Sequence, residues 1–160
     1  MNKSHKKIIS MLGVSAHKIG ASGRIALPSD FRQALVNRGV NRLAVISYQD
    51  CLQAWPIDEW EKQAERYKKL SLDDIRVREY LRWLYSNLEP IDVDPQGRMM
   101  LLDKWQERFK LKEQVILVGM DNFFEMWNPE QYSWKKQELE REFSANRDYV
   151  ARLIESREKE

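Results

Sequence analysis

The chain has 160 residues, of which 42% are hydrophobic and 32% charged, with a formal net charge of +2. That composition fits a globular chain able to bury a core, and the length allows one ordinary domain or two small ones that gain by packing together. A single cysteine, Cys51, excludes an internal disulfide and fits a reducing cytoplasm; with only His5 and His17 beside it, there is no plausible zinc set and no obvious Cys–His catalytic pair.

From the N-terminus, Lys3, Lys6 and Lys7 precede the apolar run Ile8–Ala16, a loose imitation of a signal peptide. The run is brief and broken by Ser10 and Gly13, so a first strand behind a basic tail is expected. Lys3, His5, Lys6 and Lys7 are read either as a flexible basic arm adding non-specific affinity for an anion or as a plain tail. No later stretch approaches the roughly 18 apolar residues of a membrane span. Charge is uneven: residues 1–42 carry Lys3, Lys6, Lys7, Lys18, Arg24, Arg32, Arg38 and Arg42 against Asp30 alone, a balance of +7, which leaves −5 for the rest. A basic third on an acidic body points to an anionic partner met by one face, or to a solvated basic surface.

A tight turn, Gly20-Ala21-Ser22-Gly23-Arg24, leads into a strand over Arg24–Leu27 and a short helix over Ser29–Leu35 with Ser29 as a suitable N-cap. Leu43–Tyr48 and the run ending at Trp55 read as strands. Asp58–Leu70 is helical, and Ser71-Leu72-Asp73-Asp74 opens another helix, whose stripe is Val77, Leu81, Leu84, Tyr85 and Leu88. Asp94-Pro95-Gln96-Gly97 has type I turn composition and is followed by Arg98. A strand over Arg98–Leu102, a helix over Asp103–Phe109 with Asp103 as N-cap, a strand over Val115–Gly119 and one ending at Trp127 follow. Asn128-Pro129 opens a last helix with the stripe Tyr132, Leu139, Phe143, Val150 and Leu153. Both stripes are expected to pack on a core, with chain-to-chain contact as the alternative.

The second half repeats the first. A shift of 74 places Gly23-Arg24 on Gly97-Arg98, Leu27 on Leu101 and Phe31 on Trp105. A shift of 72 places Asp50–Trp55 on Asn122–Trp127 and Trp60 on Tyr132, so the two-residue difference belongs between Phe31 and Leu43.

These residues resemble the MraZ family, whose two repeats belong to the SpoVT/AbrB-like group of swapped-hairpin DNA-binding folds. The resemblance covers most of the chain, from about Ser10 to the start of the last helix. The family carries Asp-x-x-x-Arg in both repeats, usually with Gly before the Arg. Asp94-Pro95-Gln96-Gly97-Arg98 matches in full, whereas the first copy has Gly20 in place of the acid but keeps Gly23-Arg24, Pro28 and Phe31-Arg32. Met11-Leu12-Gly13 and His17-Lys18-Ile19 look like the family's opening strand. The implied fold is α+β: tandem pseudo-symmetric SpoVT/AbrB-like β-units with a linking helical segment and a C-terminal helix. The expected division is 1–9, a basic extension; 10–61, repeat 1; 62–88, the helical connection; 89–134, repeat 2; and 135–160, the C-terminal helix.

The resemblance implies a cytoplasmic, nucleoid-associated transcriptional repressor of its own operon in the division and cell-wall gene cluster. It also implies a ring-shaped homo-oligomer on short direct repeats of double-stranded promoter DNA. Alternatives are an AbrB-like antitoxin or transition-state regulator, against which the tandem repeat argues, and a protein-interaction scaffold. No nucleophile–base pair, phosphate loop or metal set is legible, so no enzyme, cofactor, metal, small-molecule ligand or membrane partner is expected.

For DNA contact the first candidate is Arg24, whose guanidinium can meet phosphate or read guanine. Ser22 and Gly23 of its turn join it, and Lys18, Arg32, Arg38 and Arg42 are expected to supply phosphate contacts. Arg98 lies among Asp92, Asp94 and Asp103 and is a secondary candidate, for which a pair with Asp94 competes. Trp55, Trp60, Trp105, Trp127 and Trp134 are read as core rather than as stacking platforms for single strands. His17 is read as an exposed strand residue that could also touch phosphate.

Overall fold

The computed structural model describes residues 10–160. They fall into two units, one ending at Asn128 and one running Pro129–Glu160. The basic arm and most of the signal-like run lie outside the described residues.

In the first unit the order is β1 (Val14–Lys18), β2 (Arg24–Ala26), α1 (Ser29–Arg38), β3 (Arg42–Ser47), β4 (Leu52–Pro56), α2 (Ile57–Lys68), α3 (Ile75–Ser86), β5 (Leu88–Asp92), β6 (Arg98–Met100), α4 (Asp103–Arg108), β7 (Gln114–Gly119) and β8 (Phe124–Trp127). Six strands form an antiparallel sheet in the order β1-β7-β8-β4-β3-β5, while β2 and β6 form a separate two-stranded ribbon. Each outer strand of the sheet pairs with the other repeat: Ala16 faces Ile116, and Pro90 faces Ala44. Those pairings are one pairing seen twice, because 16 and 90 differ by the shift of 74 and 44 and 116 by the shift of 72. At the centre Gln53 faces Glu125, and in the ribbon Ile25 faces Met99, equivalent residues in both cases. A pseudo-twofold axis relating the repeats therefore passes between each of these pairs.

The strands either side of each Gly-Arg turn consequently part company. They do not close a hairpin on each other; each finds its hydrogen-bond partners in the opposite repeat, so the α+β tandem architecture is an exchange of strands.

The main core fills the space between the sheet and the ribbon with α1 and α4. Ile25 and Met99 point inward from the ribbon, and the repeat-equivalent Phe31 and Trp105 point inward from the helices, all four almost fully buried. Phe31 meets Phe124 of the sheet with ring centroids 5.1 Å apart. Strand β3 is buried on both faces: Leu43 and Val45 enter this core, while Ile46 on the opposite face packs under Leu81 and Leu84 of α3. Tyr48, Trp55, Trp60, Tyr67 and Val77 surround that second cluster. Tyr85 stays half exposed, and Leu88 belongs to β5 because α3 ends at Ser86.

Three sequence expectations need correction. Ser29 and Asp103 are the first helical residues rather than caps; Pro28 and Leu102 occupy the cap positions without side-chain hydrogen bonds. The ring of Pro28 fixes an extended conformation there, and its carbonyl accepts the Arg32 N–H at 3.0 Å. By contrast Asp74 does cap α3, accepting from the N–H groups of Arg76 and Val77. The last helix, α5 (Pro129–Glu158), buries none of its residues. Lys136 and Asn146 share the helix face of Leu139, Phe143, Val150 and Leu153, so the stripe is interrupted and is no continuous core-facing surface. The tryptophans divide: Trp105 and Trp127 are buried, Trp55 stacks on Phe123 at 4.1 Å, Trp60 is half-buried, and Trp134 is exposed.

Candidate nucleic-acid interface

The two Gly-Arg turns share one backbone design. In the first, Gly23 N–H donates to the Gly20 carbonyl and Gly20 N–H to that of Arg24, each at 2.9 Å; in the second, Gly97 donates to Asp94 and Asp94 to Arg98, again at 2.9 Å. Gly23 and Gly97 have φ of +81° and +76°, the left-handed region that favours glycine. After each turn the chain enters the ribbon, where Leu27 N–H donates to the Gly97 carbonyl and Leu101 N–H to that of Gly23. Each turn is thereby tied to the strand leaving the other.

Side chains make the turns unequal. One oxygen of the Asp94 carboxylate accepts the N–H groups of Gln96 and Arg98, and the other accepts Arg98 Nε at 2.9 Å. Those bonds, the Arg98 N–H first and then its guanidinium and the Gln96 N–H, hold the Asp94 carboxyl below the usual carboxylate range against a partial loss of water. At the equivalent place Gly20 has no side chain. Arg24 reaches only Ser22 Oγ, at 3.5 Å, and has no carboxylate partner among the described residues.

Both arginines nevertheless share one surface. Arg24 faces Met100 and Arg98 faces Ala26, so these four residues lie on the outward face of the ribbon while Ile25 and Met99 lie on the inward one. Arg24 and Arg98 are diagonal neighbours there, about 7–8 Å apart by the geometry of an antiparallel pair.

Exchange of strands also redistributes the charge seen along the sequence. Arg32 packs over the second turn, not the first: its Nη1 donates to the Gln96 carbonyl at 3.4 Å, and its Cδ lies where a Cβ on Gly97 would stand, 1.8 Å away. Its repeat equivalent, Gln106, lies over the first turn, donating to the Leu101 carbonyl at 2.7 Å and closing on Gly23. Gln106 escaped the sequence reading, although the shift of 74 from Arg32 marks it. Arg38 bonds Asp58 at 3.0 Å and Glu59 at 2.7 Å, and Arg42 bonds Asp92 at 2.7 Å across the β3–β5 pair. Arg38 and Arg42, two of the four residues expected to touch phosphate, thus spend their charge on internal partners drawn from the acidic part of the sequence. Asp92 is matched to Arg42, which leaves Asp94 as the carboxylate paired with Arg98.

Lys18 is exposed at the end of β1 opposite Gln114, where the other repeat has Asp92 opposite Arg42. Ser22 and Gly23 form the first turn, Gly23 with its backbone against α4. His17 is half-buried rather than exposed, with its ring 2.7 Å from Ser15 Oγ; burial lowers its pKa, against a hydrogen bond with the Ala26 backbone that raises it.

Against known families, residues 11–83 and 84–153 each match the model described as "MraZ protein, putative antitoxin-like". A transcriptional regulator MraZ of Syntrophobacter fumaroxidans is 33% identical over 72% of this chain and 77% of its own. One of Thermomicrobium roseum is 30% identical over 89% of this chain and 99% of its own, and one of a Roseiflexus species 32% over 76% and 82%.

Proposed function

The chain belongs to the MraZ family and is a transcriptional regulator rather than an enzyme, and we propose that it acts by seating the outward face of the β2–β6 ribbon in the major groove of promoter DNA. The observation that carries this reading is the pair of arginines, one from each repeat, placed on the same solvent-facing side of a ribbon whose other side is core. A major groove about 12 Å wide admits a two-stranded ribbon, and guanidinium groups match both phosphate and the O6/N7 edge of guanine. Arg24 and Arg98 are the central contacts. Lys18, Ser22 and the backbone of Gly23 flank Arg24, and Arg32 flanks the second turn; these mainly position the protein on phosphate.

One ribbon offers few contacts, so regulation rests on several copies acting together on short direct repeats, with each bound ribbon raising the effective concentration of the next. The family resemblance supports a ring-shaped assembly and, as target, the protein's own operon in the division and cell-wall cluster, with the protein acting as a nucleoid-associated repressor in the cytoplasm.

The test is footprinting of the DNA upstream of the protein's own gene, with sedimentation of the same sample. Protection of regularly spaced short repeats by an oligomer, steeply salt-dependent and lost in the Arg24→Ala/Arg98→Ala double variant, is the expected result. Full affinity in that variant, or in a monomer, refutes the reading.

A further inference from the structure

Helix α5 carries its apolar residues in a pattern suited to another helix. From Lys136 onward every residue is exposed, and Leu139, Phe143, Val150 and Leu153 are 45–57% exposed. With Asn146 between them they fall on the a and d positions of a heptad: Lys136, Phe143, Val150 and Arg157 at a, Leu139, Asn146 and Leu153 at d.

We infer that α5 is a pairing helix, through which two copies of the chain join in a parallel, in-register coiled coil. Charge on the flanks selects a second copy as the partner. Beside the seam the g positions are Lys135, Glu142 and Tyr149, and the e positions are Glu140, Arg147 and Ile154. A parallel pair sets each g residue beside the e residue five places on in the other copy. Lys135 then meets Glu140, Glu142 meets Arg147 and Tyr149 meets Ile154: two opposite-charge contacts and one apolar contact, each made twice. Within the helix these charges are little committed. Lys135 and Arg147 reach only Glu138 and Asp148, each at 3.5 Å, and Glu140 and Glu142 have no ion-pair partner among the described residues. The Arg147 guanidinium already lies along the edge of the seam, 5.4 Å from the centre of the Phe143 ring.

Asn146 sets direction and register. In register it faces its own copy, and one amide donates to the oxygen of the other. An antiparallel pair aligning the same heptads puts Asn146 against Phe143 and keeps only the Glu140–Arg147 contact. Lys136 lies at the N-terminal end of the seam, where its stem can cover apolar surface while the ammonium stays in water. A twofold contact of this kind is isologous, whereas a ring closes through head-to-tail contacts. Pairing of α5 is therefore a second interface, beyond the ring proposed above and independent of DNA binding.

Disulfide cross-linking of the full chain in a glutathione buffer tests the pairing, with wild type, whose lone Cys51 is buried, as the blank. Asn146→Cys brings two thiols face to face in the seam and should give a covalent dimer on a non-reducing gel. Leu153→Cys, one heptad on, should do the same, and Ser144→Cys, on the outer side of the helix, should give almost none. Added to Asn146→Cys, either Glu142→Lys or Arg147→Glu turns two attractive contacts into repulsive ones and should slow cross-linking about tenfold. The two reversals together restore opposite charges and should recover the rate. Thermal melting of each variant checks the fold.

Absence of dimer at both 146 and 153, or equal yields at 144 and 146, overturns the inference and leaves α5 to its own chain or to another protein. Dimer at 146 with a double reversal as slow as the single ones overturns the parallel register in favour of an antiparallel one.

Discussion

Arg38→Met is expected to cost about 2–3 kcal/mol of folding stability. Glu59, the first-turn acid of α2, is only 7% exposed, yet it is charged and engaged on three sides: Arg38 Nη1 at 2.7 Å, Lys62 Nζ at 3.0 Å and Asn122 Nδ2 at 3.3 Å. Arg38 also holds Asp58 at 3.0 Å, so one guanidinium ties the end of α1 to the start of α2. Removing one partner of a fully buried pair costs about 3–5 kcal/mol. Here the Arg38 side chain is 26% exposed and Lys62 stays in place, which brings the figure down to about 2–3 kcal/mol, near two lost charge-assisted bonds screened by water. Urea titration should show a lower midpoint with an unchanged slope, and melting a fall of roughly 5–10 °C for a chain of this size.

The same network predicts the acid limb. Burial pushes the Glu59 carboxyl up, but bonds from Arg38, Lys62 and Asn122 outweigh it, so its folded pKa lies below the ordinary value. A group with a depressed folded pKa contributes its full stability above the unfolded value, about 4.3 for Glu, and loses it as pH falls through the folded one. The gap between wild type and Arg38→Met should therefore be widest near neutral pH and narrow below about pH 4. A gap under about 0.5 kcal/mol at neutral pH, the range of an ordinary surface change, or one constant with pH, would refute the reasoning.

Gly97→Ala should cost about 1–2 kcal/mol in urea titration, because φ is +76° and the new methyl displaces the Arg32 side chain; an unchanged midpoint would mean the turn is not held as described. Trp105→Ala empties the 2%-exposed centre of the α4 side of the core and should cost about 3–5 kcal/mol by the same measurement; a loss under about 1 kcal/mol would place that ring outside the core. The His17 ring has a lowered pKa chiefly through burial, so stability should be steady above about pH 6.5 and fall as pH drops from there through the folded value. His17→Gln should flatten that part of the pH–stability curve, and an NMR titration placing the ring above about 6.5 would contradict it.

Much of this fold could be read from residues alone. The shifts of 74 and 72 reappear in the sheet as paired registers, Ala16 on Ile116 and Pro90 on Ala44, because a repeat that packs on itself must satisfy both copies in the same way. The turns were legible because few residues other than glycine accept their φ. Which charges meet was not legible. Arg32 lies eight residues after Arg24 in the chain yet packs over Gly97, since strand exchange carries α1 to the opposite turn. Arg38 and Arg42 look like part of a basic surface until their partners Glu59 and Asp92 arrive from elsewhere in the sequence. The competition foreseen for Arg98 was local, four residues back to Asp94 across a tight turn, and such a pair needs no tertiary knowledge.

Strand exchange also sets a timetable. β1 is synthesised first but has no partner until β7 exists, since Lys18 pairs with Gln114; β2 likewise waits for β6. At about 5–20 residues per second on the ribosome, the first strand spends roughly 5–20 s as an unpaired edge, open to pairing with other nascent chains. A polypeptide released early, after the first repeat, would hold one strand of the ribbon and one strand of each outer sheet pair. Completed translation is thus a condition for forming the two-arginine surface within a single chain.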